Sequence, residues 1–260
     1  MHQQLLQAFS GFAADPRADE LSALILINRL LSPELNVAAL RGSLTELESA
    51  YRPPQPPWRF LAEQGFGGNV DDYGSLENSR LDRLLETRRG IPISLAVLLI
   101  HLARQMGLAA DGINFPGHFL VRIDGRLIDP FRMEETTEAA CLAGLPESAP
   151  RGAEAFDVAG PPAILLRMLN NLKFAFVGAM AWDRALDVLD AQLALAPDEP
   201  ALHLERGEYW SRLGVISSAR DAFAEAERLS AGGVDPRLVE IGRVARDRLR
   251  GLAGGNDVLH

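Results

Sequence analysis

The strongest constraint on this chain is a stretch near its middle whose pattern predicts a buried helix. Gly90 can end one helix in the left-handed conformation, and Pro92 suits the first position of the next, where its missing N–H costs no hydrogen bond. From Ile93 to Met106 the residues are apolar around most of the circumference, and Gly107 supplies a stop signal. We therefore expect a helix that begins at Pro92 and is buried on nearly all sides.

A β-hairpin is predicted directly after this helix. The composition indicates short strands at 112–115, 119–123 and 126–128. Asp124-Gly125 is a strong signal for a two-residue turn between the last two strands. His118 then stands at the start of one strand and Asp129 at the end of its partner.

This order of a buried helix start followed by a hairpin with His and Asp resembles the transglutaminase-like branch of the papain-type cysteine enzymes. More closely, the chain resembles the SirB1 family of bacterial proteins. The resemblance runs from about Leu24 to Cys141 and continues weakly through 166–172. It depends on five ordered strings: Gly65-Phe66-Gly67-Gly68-Asn69, Asn78-Ser79, Arg88-Arg89-Gly90-Ile91-Pro92-Ile93-Ser94-Leu95, Phe115-Pro116-Gly117-His118-Phe119-Leu120-Val121-Arg122 and Asp129-Pro130-Phe131.

The resemblance implies a catalytic triad that lacks its nucleophile. Active relatives carry a Cys at the start of the buried helix, where the helix dipole helps to stabilise a thiolate. Matching Gly90 and Ala96 to the flanking Gly and Ala of that motif places Pro92 at the Cys position. His118 and Asp129 match the base and its orienting carboxylate, so two members of the triad remain.

Two other residues are candidate replacement nucleophiles. Ser94 lies two positions beyond Pro92, which turns its side chain by roughly 200° around the helix. Its ordinary role is to satisfy free N–H groups of the first turn. Cys141, the single cysteine, lies in an Ala-rich and predicted helical stretch, where such a residue is usually a small buried hydrophobe. We expect neither to act as a nucleophile.

The remaining candidates for a pocket have structural interpretations as well. His118 and Asp129 could form a hydrogen-bonded pair that only ties the hairpin together, and this alternative stays open beside a retained ligand pocket. Asn78 is predicted first as the N-cap of a helix over 79–88. With it, Gly90, Ser94 and Gly117 complete the candidate pocket residues.

Composition excludes several classes of function. A formal charge of −9 and a pI near 5.1 argue against a nucleic-acid partner, and the arginines near 80–89 are expected to be a solvated or salt-bridged face. One Cys allows no internal disulfide, and five scattered His residues suggest no metal site, so no cofactor or metal is expected. The first 20 residues lack a leader pattern and no apolar run is long enough to span a membrane, which predicts a cytoplasmic protein.

Composition also predicts the domain organisation. Helices at 21–31 and 36–51 form a helical lead-in over 1–57, and a core follows over 58–145. Together they give a first domain at 1–150, followed by a Pro- and Gly-rich linker at 151–162. The expected fold is α+β and mostly α: a helical domain with a small antiparallel sheet, then an α–α repeat tail over 163–251.

An internal repeat indicates what the tail is. Residues recur at an offset of 34, the tetratricopeptide period, as in Ala185 with Ala219 and Leu189 with Phe223. In the clearer unit, Gly207 and Phe223 occupy small and large positions that let two helices pack. A last helix from Asp235-Pro236 is expected to cap the stack.

Two functions compete. The first is a non-catalytic protein-interaction or regulatory module whose tail binds a protein or peptide, or packs on the first domain. The second is an amide-hydrolysing or acyl-transfer enzyme in which His118 activates water and Asp129 orients it. An enzyme needs the ring of His118 at an open cleft, whereas an interaction protein allows it to be covered by neighbouring phenylalanines.

Overall fold

The computed structural model describes residues 3–254, which divide by their contacts into two compact units. The sheet unit comprises residues 13–168, and the helical unit combines the helix before Ala13 with the chain from Leu169 onward. The described chain is mostly helical with a small antiparallel sheet, so the predicted α+β, mostly α class is confirmed. None of the described helices is long and apolar enough to cross a membrane.

The first part of the sheet unit is mainly helical and includes a short parallel strand pair. Its helices before the hairpin are α2 (Glu20–Leu31), α3 (Val37–Ala50), α4 (Pro57–Glu63), α5 (Leu81–Thr87) and α6 (Pro92–Gln105), with a 3-10 helix at Leu76–Ser79. Strands β1 (Gly67–Gly68) and β2 (Arg89–Gly90) pair in parallel. The predicted helices over 21–31, 36–51 and from Pro92 are confirmed to within a few residues.

Helix α6 is the centre of the unit and is buried almost throughout, as predicted. It packs against α2 and against the sheet that follows. Two of its polar residues bond to other helices: His101 Nε2 lies 2.6 Å from a Glu48 oxygen, and Arg104 forms a two-pronged ion pair with Glu20 at 2.6 and 3.1 Å. The carboxylate of Glu20 is buried, so this pair fixes α2 against α6.

The main sheet has five strands in the order β6-β5-β4-β3-β7, and every pairing is antiparallel. The strands are β3 (Ala110–Ile113), β4 (Leu120–Ile123), β5 (Arg126–Asp129), β6 (Glu134–Thr136) and β7 (Val158–Ala159), with α7 (Glu138–Ala143) after β6. Asp124 and Gly125 both have positive φ, at 46° and 82°, which confirms the predicted hairpin turn.

The segment 151–162, expected to be a linker, is built into this sheet instead. It contains a 3-10 helix at Ala153–Phe156 and strand β7, which pairs with β3. The ring of Phe156 is buried against Phe115, with centroids 5.1 Å apart. Long-range burial therefore orders a stretch whose composition suggests an open connector.

Helix α8 (Pro161–Gly178) follows, and its residues up to Met168 belong to the sheet unit. The helical unit contains α1 (Gln3–Phe12), the rest of α8, α9 (Trp182–Leu195), α10 (Pro200–Arg212), α11 (Ile216–Ser230) and α12 (Pro236–Gly254). Helix α1 packs against α9, so it belongs to this unit and differs from the lead-in expected over 1–57. Successive helices from α9 to α12 pack on one another.

Candidate functional site

His118 is carried by a tight turn between β3 and β4. Its backbone N–H donates to the carbonyl of Phe115 at 3.1 Å, with Pro116 and Gly117 between them. Proline at the second position and a φ of +71° at Gly117 are the requirements of a type II turn. Gly117, a candidate pocket residue, therefore shapes the turn that presents His118.

Asp129, the last residue of β5, accepts a hydrogen bond from the His118 ring. The distance from Nε2 to Asp129 Oδ1 is 3.0 Å, and the same oxygen accepts from the backbone N–H of Phe131 at 2.9 Å and of Arg132 at 3.3 Å. Burial alone would raise the pKa of Asp129, but the hydrogen bonds and charge of His118, with the two backbone N–H groups, lower it below its ordinary value. The carboxylate is thus held ionised.

An ionised carboxylate only accepts hydrogen bonds, so it places a proton on Nε2 of His118. In the neutral form of the ring, Nδ1 is then an acceptor, and no hydrogen bond to Nδ1 occurs within residues 3–252. The His118 side chain is 28% exposed, so the ring is neither covered nor fully open. Chemically, the pair can accept a hydrogen bond or a proton from a bound group.

Replacing Asp129 with Asn should change the acid dependence of stability. Because its pKa lies below the ordinary 3.8, the carboxylate stabilises the fold above that pH, and the stabilisation is lost as pH falls through the lowered pKa. Denaturant unfolding should be measured between about pH 6 and about pH 2. The difference in the free energy of unfolding between wild type and Asp129→Asn should become smaller as the pH falls. Asp71→Asn, at an exposed loop position, is the control; a gap that stayed constant would contradict this.

The first turn of α6 carries two of the candidate site residues, Pro92 and Ser94, and both are buried. Pro92 is the first residue of the helix and is buried. Ser94 has no exposed surface; its Oγ accepts from the N–H of Ile91 at 3.2 Å and donates to the carbonyl of Asn78 at 2.7 Å. The predicted role of Ser94, which is to satisfy a free N–H of the first turn, is confirmed.

Ser94→Ala should therefore destabilise the protein, whether or not Ser94 has a role in activity. The substitution leaves the N–H of Ile91 and the carbonyl of Asn78 buried without this partner, which costs about 1–2 kcal/mol in the free energy of unfolding. Urea unfolding would measure it, with Ser49→Ala on the exposed surface of α3 as the matched control. An unchanged midpoint would mean that another group takes over the bonds of Ser94.

Two predicted local roles are wrong, and packing explains both. Asn78 is not the N-cap of α5 but lies in the preceding 3-10 helix, where its amide donates to the carbonyls of Asp72 and Tyr73 and accepts from Asn69. Arg88, with a φ of 63°, is the left-handed residue that ends α5, not Gly90. Gly90 is needed for space, because a Cβ there would lie 2.8 Å from the Oγ of Ser94.

Backbone hydrogen bonds join the start of α6 to the His–Asp pair. The Gly-rich loop lies between them: Asn69 N–H donates to the carbonyl of Gly90 at 2.9 Å, and Gly68 N–H donates to that of Phe131 at 2.8 Å. A Cβ on Gly68 would lie 2.3 Å from the Phe131 ring, so only glycine fits there. The Gly-rich loop therefore connects Gly90, which precedes α6, with the segment that follows Asp129.

Cys141 lies on α7, as the predicted helical stretch requires. It is partly buried against a cluster of apolar side chains that includes Phe115 and Phe156. Burial raises the pKa of its thiol, and the carboxylates of Asp129 and Glu138 act in the same direction. A raised thiol pKa is the opposite of what an activated nucleophile needs.

Sequence reasoning missed Arg167 and a separate cleft. Arg167 on α8 donates to the carbonyl of His118 at 2.8 Å; the signal available was one arginine inside an apolar run, Ile164 to Leu169. A cleft of about 590 Å³ lies elsewhere in the sheet unit, between α3 and α5. Its lining includes neither His118 nor Asp129. Within residues 3–252, no three His, Cys, Asp or Glu side chains are grouped to hold a metal ion.

Comparison with known proteins finds a family match for the segment that contains this site. Residues 58–170 match the model of the transglutaminase-like superfamily. No solved structure matches the chain.

Similar proteins include bacterial UPF0162 proteins and a mammalian F-box protein. The chain is 39% identical over 176 residues to a UPF0162 protein of Xylella fastidiosa (strain 9a5c) and 31% identical over 166 residues to one of Vibrio cholerae. These matches cover 63% and 59% of this chain, and 63% and 60% of the relatives, so under two thirds of either relative is spanned. Human F-box only protein 21 is 30% identical over 170 residues, which cover 58% of this chain and 26% of that protein.

Proposed function

We propose that this is a SirB1-type protein of the bacterial cytoplasm whose transglutaminase-like domain is non-catalytic and whose tetratricopeptide-like tail acts as a protein-interaction or regulatory module. In this view the His118–Asp129 pair is kept as part of a binding pocket. The observation that carries the proposal is the environment of Ser94, since this hydroxyl is the candidate nucleophile nearest to the helix start and both of its bonds are internal.

The other candidate nucleophiles support the same conclusion. Pro92 has no group that can form a covalent intermediate, and the thiol of Cys141 is shifted away from the reactive thiolate. Without a nucleophile, the two-step chemistry of the cysteine enzymes cannot begin. A related segment also makes up only a quarter of F-box only protein 21, which supports the view that the domain serves as a module in proteins of different length.

The tail offers an exposed apolar residue to a partner. Phe174 on α8 is 83% exposed, which is unusual for a large aromatic side chain. The 34-residue period and the packing of α10 on α11 support a repeat that binds an extended peptide. No nucleic acid or membrane is required by this surface.

A catalytic assay separates the proposal from its enzyme alternative, in which His118 activates water. Purified wild type and His118→Gln would be incubated with peptide amides, anilides and thioesters. We expect equal, background rates from both proteins, because no covalent step is available. A wild-type rate that His118→Gln abolishes would establish the enzyme, to which the free Nδ1 and 28% exposure of His118 lend support.

A peptide-display experiment tests the binding role of the tail. Peptides selected on the full chain should lose most of their affinity, roughly tenfold or more, for Phe174→Glu. Val239→Glu on α12, also an exposed apolar position, is the matched control and should bind as wild type does. Selected peptides that bind both variants equally, or no selection at all, would refute a peptide site at Phe174.

A further inference from the structure

Arg167 makes a set of contacts to the His118 turn that the triad resemblance does not explain. Its guanidinium donates to the carbonyl of His118 at 2.8 Å and to that of Phe115 at 3.2 Å. It also donates to the side-chain oxygen of Asn114 and lies 5.4 Å from the centre of the Phe119 ring. One side chain therefore contacts both ends of the turn and the residues on either side.

We infer that Arg167 is a positioning residue, which clamps the turn so that the His118 ring meets Asp129. The inference rests on the proposed role of His118 in a pocket and names what maintains that pocket. Arg167 would touch no ligand itself; it acts through the backbone of His118.

The chemistry of Arg167 suits a clamp. A planar guanidinium presents several N–H donors in a fixed fork, so it can hold two carbonyls at a set spacing, whereas a lysine ammonium is a point charge on a flexible stem and does not fix that spacing. Arg167 is partly buried, burial lowers its pKa, and it forms no ion pair with any carboxylate in residues 3–252. A partly buried cation without a counter-ion is costly, and here carbonyl oxygens and an aromatic ring satisfy it.

The turn needs such support because its own restraints are few. Gly117 is exposed and conformationally free, and within the turn only the N–H of His118 bonds back to Phe115. Sheet pairing of β4 begins at Leu120, two residues later. A hydrogen bond of 3.0 Å to Asp129 depends on the position of His118 to within a few tenths of an ångström, which sheet pairing alone does not set.

The test is nitrogen NMR of the His118 ring in the full-length, ligand-free protein, with His118→Gln to assign its signals. Wild type should show one tautomer with the proton on Nε2 and slow exchange of that proton. Arg167→Gln should mix the tautomers and speed exchange roughly tenfold, as expected when a hydrogen bond to a charged group is lost. Arg167→Lys should restore part of the wild-type pattern.

The chain offers a matched control. Arg151 also donates to two carbonyls, that of Leu142 in α7 at 3.2 Å and that of Leu145 just after this helix at 2.7 Å, but it forms no hydrogen bond with His118. Arg151→Gln should leave the His118 signals unchanged. The inference is overturned if Arg167→Gln matches wild type, or if Arg151→Gln changes the signals equally.

Two further variants distinguish a failure of the Arg167 inference from a failure of the proposed pocket. If Arg167→Gln fails to fold, Asn114→Ala, which removes only one acceptor of Arg167, should produce a smaller change in the same direction; no change would overturn the inference. Asp129→Asn tests the pair itself. If Asp129→Asn leaves the His118 signals unchanged, the pocket in the proposed function fails, whereas a response to Asp129→Asn with none to Arg167→Gln refutes the clamp alone.

Discussion

Pro92→Cys should create a reactive thiol at the start of α6. The proposed function assigns Pro92 to the position of a missing nucleophile, and a Cys at a helix N-terminus has a lowered pKa because the helix dipole favours the thiolate. At neutral pH, we expect Pro92→Cys in a Cys141→Ser background to react with iodoacetamide at least roughly tenfold faster than Cys141 does in wild type.

His118, the proposed base, provides the control for this gain in thiol reactivity. Adding His118→Gln should remove most of the new reactivity if residue 92 lies beside the ring, as the resemblance implies. Intact-protein mass spectrometry gives the rates, and thermal unfolding checks that each variant is folded. If the new thiol reacted no faster than Cys141, or just as fast without His118, position 92 would not be the vacant nucleophile position.

Gly207→Ala should destabilise the helical unit by about 2 kcal/mol, the typical cost of overpacking a tight contact. Gly207 on α10 packs against Phe223 of α11, and an added Cβ would lie 2.4 Å from the Phe223 ring. Both helices would have to separate, since the ring is itself almost wholly buried.

A Gly→Ala substitution in α3 should instead raise the free energy of unfolding. Gly42 lies inside α3 with open space around its missing Cβ, so Gly42→Ala should stabilise by about 0.5–1 kcal/mol through helix propensity. Urea unfolding followed by Trp fluorescence reports the helical unit, and so Gly207→Ala, through Trp182 and Trp210 in a Trp58→Phe background. Trp58, alone in a Trp182→Phe/Trp210→Phe background, reports the sheet unit and so Gly42→Ala. If Gly207→Ala lowers the free energy of unfolding as much in a Phe223→Leu background as in wild type, the Phe223 ring is not the obstacle.

Local sequence signals predicted the elements that surround the site. Pro92 and Gly107 bound α6 as expected, because a missing N–H and a left-handed residue act on the chain beside them. Asp124-Gly125 produced the hairpin turn, which with strand alternation brings His118 to Asp129. Ser94 likewise accepts a hydrogen bond from the N–H of Ile91 at the start of α6, as expected of a Ser in a first turn.

Predictions were wrong where contacts between distant segments decide the outcome. Asn78 and Gly90 have their observed roles because the loop at 65–69, α5 and α6 meet, and no local pattern encodes that meeting. Helix α1 packs on α9, about 170 residues away in the chain, since apolar faces pair in space rather than in sequence.

By itself, then, the sequence determined most of the helices, the hairpin and the α+β class, all of which depend on residue type and short spacing. Only the tertiary structure decided that 151–162 joins the sheet and that Arg167 holds the turn of His118. The physical reason is the same in both cases. A strand edge and a buried carbonyl need partners, and the partner that satisfies them is whichever segment the packed core brings within hydrogen-bonding distance.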